Sequence, residues 1–322
     1  MFSEKTLNKF KNKNWFYKLI YKISIGFIRK IYFSVKKLFF YITLKKFKGL
    51  YRPISLPFIS GDTFRAEANH IHDETKKLIP KKVKKNDVVF LNADFIDEYF
   101  SDYHSEIKEK YILITQNSDV EIGDKYKEYV DQNIIKCFSQ NLTILDNPSF
   151  ELLPVGIENK RYLKNGILSH FKNLDKNFNK KKKTKIISAF NRFTALNRRE
   201  ELFYLTKEID SIDDLLPVNH KKYMEQISEY KFALCPLGNG PDTHRLWECL
   251  MVYTIPIIIK CNFTENLKKM NAPFLEVDKW DNIKNFSEDF LNDYYEKNIN
   301  KETIDTITKF KYWNDRIQSN KL

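Results

Sequence analysis

The chain has 322 residues, 42% hydrophobic and 30% charged, with an aromatic share of 15% led by 26 Phe and 18 Tyr, enough for one large core or two smaller ones and against global disorder. Its formal charge of +13 is no argument for nucleic acid, because twelve lysines and Arg29 face a single acid, Glu4, within the first 50 residues, leaving the rest nearly neutral. Cys137, Cys235, Cys249 and Cys261 form neither a CxxC pair nor a dense scaffold, which fits a reducing cytosol, and no apolar run has membrane-spanning length.

Residues 1–50 form a basic amphipathic segment. Read as one or two helices from Trp15 to Phe47, it has a broad apolar side and a side bearing Lys18, Lys22, Arg29, Lys36 and Lys37. Such a face suits an anionic membrane surface, and equally packing on the protein body or a sister subunit. The expected location is cytoplasmic, with peripheral attachment to the membrane open. No zinc-finger spacing or RNP-like strand accompanies the charge, so no nucleic-acid partner is expected.

Residues 51–170 read as a first α/β domain. A loop-rich stretch leads to a helix over Ala66–Leu78, followed by strands over Asp87–Asp94 and Lys110–Asp119, around Ile134, and over Leu142–Leu145 and Leu152–Glu158. Residues 171–184 serve as a linker whose lysines face solvent. Residues 185–285 form a second α/β domain: a strand at Lys185–Phe190, helices from about Arg198 and Lys221, strands at Phe232–Cys235 and Ile255–Ile259, and an edge strand near Ala272–Val277. Residues 286–322 are expected to be helical, with packing back on the first domain left open. Two facing α/β domains place ligands beyond the carboxyl ends of their strands.

The informative text runs from Tyr230 to Ile259: a strand into Cys235-Pro236, the loop Gly238-Asn239-Gly240-Pro241-Asp242, then a helix from about Thr243 with Leu246, Trp247, Leu250 and Met251 to bury. Glycines let backbone approach a ligand, and helix-start amides receive phosphate oxygens. Arg245 can add a forked contact to a diphosphate, and Glu248, one turn on, can accept ribose hydroxyls or pair with Arg245. His244 can meet a phosphate or sugar hydroxyl. An ordinary glycine turn before a capped helix is the plain alternative.

This block resembles the donor-binding half of exostosin-like and related GT-B glycosyltransferases, with the order strand, P-x-G-x-G, D-x-x-R-x-W-E, helix, I-P-I-[IV]. The resemblance covers about residues 184–280. It implies a GT-B-like fold of two facing Rossmann-like domains and a nucleotide-sugar co-substrate, with Gly238, Asn239 and Gly240 beside the donor phosphates, Arg245 on the pyrophosphate and Glu248 on ribose or sugar hydroxyls. It also implies an inverting, metal-independent transfer to a glycan or lipid-linked acceptor of surface polysaccharide or lipopolysaccharide synthesis. Two departures stand out. Where many such enzymes carry a first glutamate this chain has Gly240, with Asp242 nearby to take part of its role, and Tyr253 stands where relatives often put glycine.

Across the cleft, Arg192 is the leading second phosphate contact, with Arg198 and Arg199 next. Asp62 and Asp119 are the catalytic-base candidates, Asp94 following the same logic; Arg65 could bind an anionic acceptor. The competing local account makes Asp62 a helix N-cap and puts Arg65 on the helix surface. The histidines have no zinc spacing, and the glycine loop lacks the Gly-Lys-Ser/Thr of a Walker loop. A catalytically inactive glycan-binding or assembly protein on the same scaffold is the rival of a different class.

Overall fold

A computed structural model describes residues 51–322 except 192, 216 and 217, together with Val35. The basic N-terminal helices and the Arg192 contact expected from the sequence therefore lie outside the described residues. Residues 52–322 form one compact unit.

In chain order the first half contains α1 (Gly61–Glu67), β1 (His70–His72), β2 (Val88–Asn92), α2 (Ile96–Asp102), β3 (Tyr111–Gln116), β4 (Ile134–Ser139) and β5 (Phe150–Leu152). Their order in the sheet is β1-β2-β3-β4-β5, all parallel. Every residue of β2 and β3 is buried, as parallel strands covered on both faces require. Register aligns their carboxyl ends: Asn92 faces Gln116, Thr115 faces Ser139, and Ser139 faces Leu152.

The second half contains β6 (Lys183–Ser188), α3 (Leu196–Leu205), β7 (Ile212–Asp214), α4 (His220–Ile227), β8 (Tyr230–Leu234), α5 (His244–Met251), β9 (Ile255–Ile259), α6 (Asn262–Lys269) and β10 (Leu275–Val277). This sheet is also parallel, in the order β10-β9-β8-β6-β7. The chain winds outward from β6 to β7, then reverses through β8, β9 and β10. The second sheet thus has the strand-order reversal of a Rossmann-like domain. The first sheet, strictly sequential, lacks the reversal that defines a Rossmann-like switch point. The chain ends in α7 (Glu288–Asn298), α8 (Lys301–Ile307) and α9 (Phe310–Ser319). Phe310 of α9 meets the first half: its N–H donates to Pro57 O at 3.0 Å and its ring lies 5.1 Å from that of Phe64.

Several local expectations are corrected. The helix expected over Ala66–Leu78 instead begins at Gly61 and ends at Glu67, and Ser60, not Asp62, is its N-cap, accepting from Thr63 N–H. Leu142–Leu145 forms no strand; it is a loop with a single bridge from Leu142 to Ile122. Among the linker lysines, Lys182 is buried and donates to Ser228 O at 2.6 Å and Val252 O at 2.8 Å, the C-caps of α4 and α5. Burial lowers its ammonium to about 7, while the partial negative charge of two helix C-termini favours the cation.

Tyr253 follows the C-cap of α5 with φ 57°, the left-handed conformation that glycine adopts without strain. A tyrosine there carries about 1–2 kcal/mol of strain. Its side chain offsets this: the ring is 2% exposed, and its hydroxyl donates to Asp305 at 2.7 Å.

Candidate functional site

Loops at the carboxyl ends of both sheets meet around a cavity of about 430 Å³. The first half contributes Gly61, Asp94, Asn117, Ser118, Asp119, Gln140 and Tyr162, among others; the second contributes Thr194, Arg199, the Gly238–Gly240 loop, Asp242, Thr243 and His244. The β8–α5 loop springs from the middle of the second sheet, where strand order reverses. Open α/β sheets offer their ligand crevice at that place.

Buried arginines shape this loop. Arg199 is 5% exposed and donates from Nε to Leu237 O at 2.8 Å, from Nη1 to Asn191 O at 3.0 Å and from Nη2 to Pro236 O at 3.2 Å. Burial, then the Arg245 charge, lowers it to about 10, so it remains a cation at neutral pH. Arg198 Nη1 adds bonds to Gly238 O at 3.1 Å and Asn239 O at 3.3 Å. Four successive carbonyls, 236 to 239, are thereby held by guanidinium groups. Gly240 is needed for close approach: a Cβ there would lie 2.6 Å from Asn141 Oδ1. Helix α5 then begins at His244 with Thr243 as N-cap, and the threonine side chain makes no capping bond, so α5 lacks the side-chain acceptor that usually satisfies its first amides.

Asp242, though it lines the cavity, uses both carboxylate oxygens to bind the two halves together. Its Oδ2 accepts from Val155 N–H at 2.7 Å, its Oδ1 accepts from the Trp247 indole at 2.7 Å, and its own N–H donates to Asn141 Oδ1 at 3.0 Å. Burial raises its carboxyl to about 7 against the lowering effect of these bonds. Asn239 Nδ2 donates to Asp119 at 3.0 Å, and His244 Nδ1 donates to Gly156 O at 2.8 Å, so further contacts cross the same boundary.

Arg245 and Glu248 do not line this cavity. Arg245 Nη2 donates to Ala189 O at 2.7 Å, just beyond β6, and its Nε is buried without a partner. Glu248 Oε1 accepts from His220 Nε2 at 2.8 Å, and His220 Nδ1 meets His170 Nδ1 at 3.0 Å. Burial alone would raise Glu248, but the His220 bond and the nearby His220, His244 and Arg245 charges hold it below the usual value. The sequence did not single out His170 or His220. They stand 50 residues apart in the chain and no spacing connects them.

Asp62 also stays outside the cavity lining, beneath Gly61 and Asn117. Its Oδ1 accepts from Arg52 at 2.9 Å and Asn117 Nδ2 at 3.2 Å and lies 3.3 Å from Arg161 Nη1; its Oδ2 is buried without a partner. Burial pushes this carboxyl to about 6, opposed chiefly by Arg52. Arg65, expected on the helix surface or on an anionic acceptor, is buried and donates to Asp73 at 2.6 Å. Asp94 and Asp119 are exposed on the cavity wall, with Asp94 accepting from Ser118 Oγ at 2.5 Å. Among the described residues no group of three or more His, Cys, Asp or Glu converges to hold a metal ion, and no helix is long and apolar enough to cross a membrane.

No protein-family model matches the sequence, and no curated protein does. Among solved structures, a chain from a crystal structure of a GtfA/B complex is similar over 75% of this chain, at 11% identity and a TM-score of 0.37. This chain spans 58% of that chain's length. The likeness is distant, and the architecture stands on the strand order and register described above.

Proposed function

We propose that the protein is a GT-B-type glycosyltransferase that moves a sugar from a nucleotide-sugar donor to a hydroxyl of a glycan or lipid-linked acceptor, without a metal ion. The observation that carries this reading is the glycine loop after β8, which leaves the point of strand-order reversal and opens an uncapped helix, α5, at the cavity. Loop and helix-start amides suit the donor diphosphate, and the Arg199 charge beneath the loop favours the negative charge that grows on it as the sugar leaves. Glu248, outside the cavity lining and tied to His220, braces α5 from behind. The acceptor enters along the wall formed by Asp94, Ser118 and Asp119.

A saturation-transfer NMR screen of UDP-, GDP-, dTDP- and CMP-sugars, with the bare nucleotides as controls, tests the reading. One nucleotide class should bind, and Asn239→Ala, in the loop that lines the cavity, should weaken that binding about tenfold, or about 1.4 kcal/mol. A folded protein that binds none of them would favour the inactive glycan-binding scaffold.

A further inference from the structure

None of the three sequence-predicted carboxylates is well placed to take a proton from an acceptor hydroxyl, Asp94 being engaged by Ser118 Oγ at 2.5 Å. Asp62 is fully buried, with Oδ1 shared by Arg52, Arg161 and Asn117. Asp119 is exposed and engaged by the Asn239 amide. Among the described residues His244 is the imidazole that lines the cavity, and its ring is held by a turn of the first half. Gly156 occupies φ 64°, and a Cβ there would overlap Ile59 O, so only glycine fits. Its carbonyl receives His244 Nδ1, while one residue earlier Val155 N–H is held by Asp242. The start of α5 thus grips successive residues of one turn. A carbonyl oxygen only accepts, so Nδ1 carries the hydrogen. In the neutral ring Nε2 is then a lone pair, and it has no hydrogen-bond partner among the described residues.

We infer that His244 is the general base of the transfer, stationed where the acceptor and donor halves of the cavity meet. This rests on the glycosyl-transfer reading above. The acceptor O–H bond breaks and its proton passes to Nε2; the acceptor oxygen bonds to the anomeric carbon; the bond from that carbon to the nucleoside diphosphate breaks, and its electron pair leaves with the phosphate oxygen. The resulting imidazolium keeps its Nδ1 bond to Gly156 O and returns the new proton to water. The charged and titratable groups around it are Asp242 two residues before it, Arg245 next to it, Glu248 one turn along α5, Arg199, Asp94, Asp119 and Tyr162 on the cavity walls, and Asp62.

The test compares wild type with His244→Asn, whose amide nitrogen can replace Nδ1 toward Gly156 O but leaves no base at the Nε2 position. UDP-, GDP- and dTDP-linked hexoses are the donors and water the acceptor; calorimetry gives donor affinity, and nucleoside diphosphate release is followed against pH. His244→Asn should melt near wild type and bind donor within about threefold of it, while turnover falls about 10²–10⁴-fold and the acid limb of the wild-type profile disappears. In the wild type itself, the His244 Nε2 resonance should titrate with that limb. A limb that persists in His244→Asn, or that departs from the Nε2 titration, would return the role to a carboxylate such as Asp62; unchanged turnover would also overturn it. Failure of every donor to bind wild type is a separate result, removing the transfer reading and this base together.

Discussion

The two halves of the cavity are built differently. In the second half, the residues that shape the site lie in one stretch of chain, from Cys235 to Glu248, with Arg198 and Arg199 reaching in to hold its carbonyls. In the first half, the floor is a network drawn from Arg52, Asp62, Glu74, Asn117, Asn159 and Arg161. The first design leaves amides and a helix start facing a ligand. The second consumes its charges internally and fixes a wall. A site of this kind divides its labour: one half binds, and the other holds shape and presents the acceptor.

That contrast is sharpest at two arginines. Arg199→Met would strip donors from two carbonyls of the β8–α5 loop and from Asn191 O and should cost about 3 kcal/mol or more, with loss of donor binding. Arg161→Met should also destabilise the protein, because Asp62 keeps a buried charge with fewer partners, yet leave donor affinity near wild type. Urea unfolding and donor calorimetry on both variants check this. Equal loss of donor affinity would erase the division.

A smaller effect separates the loop glycines. Gly240→Ala meets the Asn141 side chain at 2.6 Å, so something must shift, at about 1–3 kcal/mol. Gly238→Ala finds its nearest neighbour, Thr243 Cγ2, at 3.4 Å, and should stay within about 0.5 kcal/mol of wild type. Thermal melts would rank them, and the reverse order would mean the halves approach each other elsewhere.

The smallest expected change concerns pH. Asp242 titrates at about 7 in the folded protein because it is buried, against about 3.9 in an unfolded chain. The folded state therefore binds more protons between those values, and this group's contribution to stability is lost as pH rises from about 4 to about 7. Asp62, raised to about 6, acts in the same direction. Asp242→Asn should flatten part of the slope, read as urea midpoints at pH 5 and pH 8; an unchanged slope would remove Asp242 from the pH dependence.

Legibility followed the same division. Ile255–Ile259 read correctly as a strand, and the start of α5 was placed within one residue, because glycines, a proline and an apolar helix face succeed one another locally. The three-residue strands His70–His72 and Ile212–Asp214 are too short to display a period. Asp62 resembles the helix N-cap in the sequence because the true cap, Ser60, is drawn into a buried hydroxyl cluster with Ser55 and Thr63. Arg65 looked available because its partner, Asp73, lies beyond the helix. The roles of Asn141 and Gly156 come from the meeting of the halves, which no local pattern encodes.

The central claim places a donor diphosphate against the β8–α5 loop and the start of α5. The most direct test is an amide NMR titration of the full chain with UDP, GDP and dTDP. The largest shifts should fall on the amides of Asn239, Gly240, Thr243, His244 and Arg245 for one of the three nucleotides. Shifts confined to other parts of the molecule, or none at millimolar nucleotide, would contradict it.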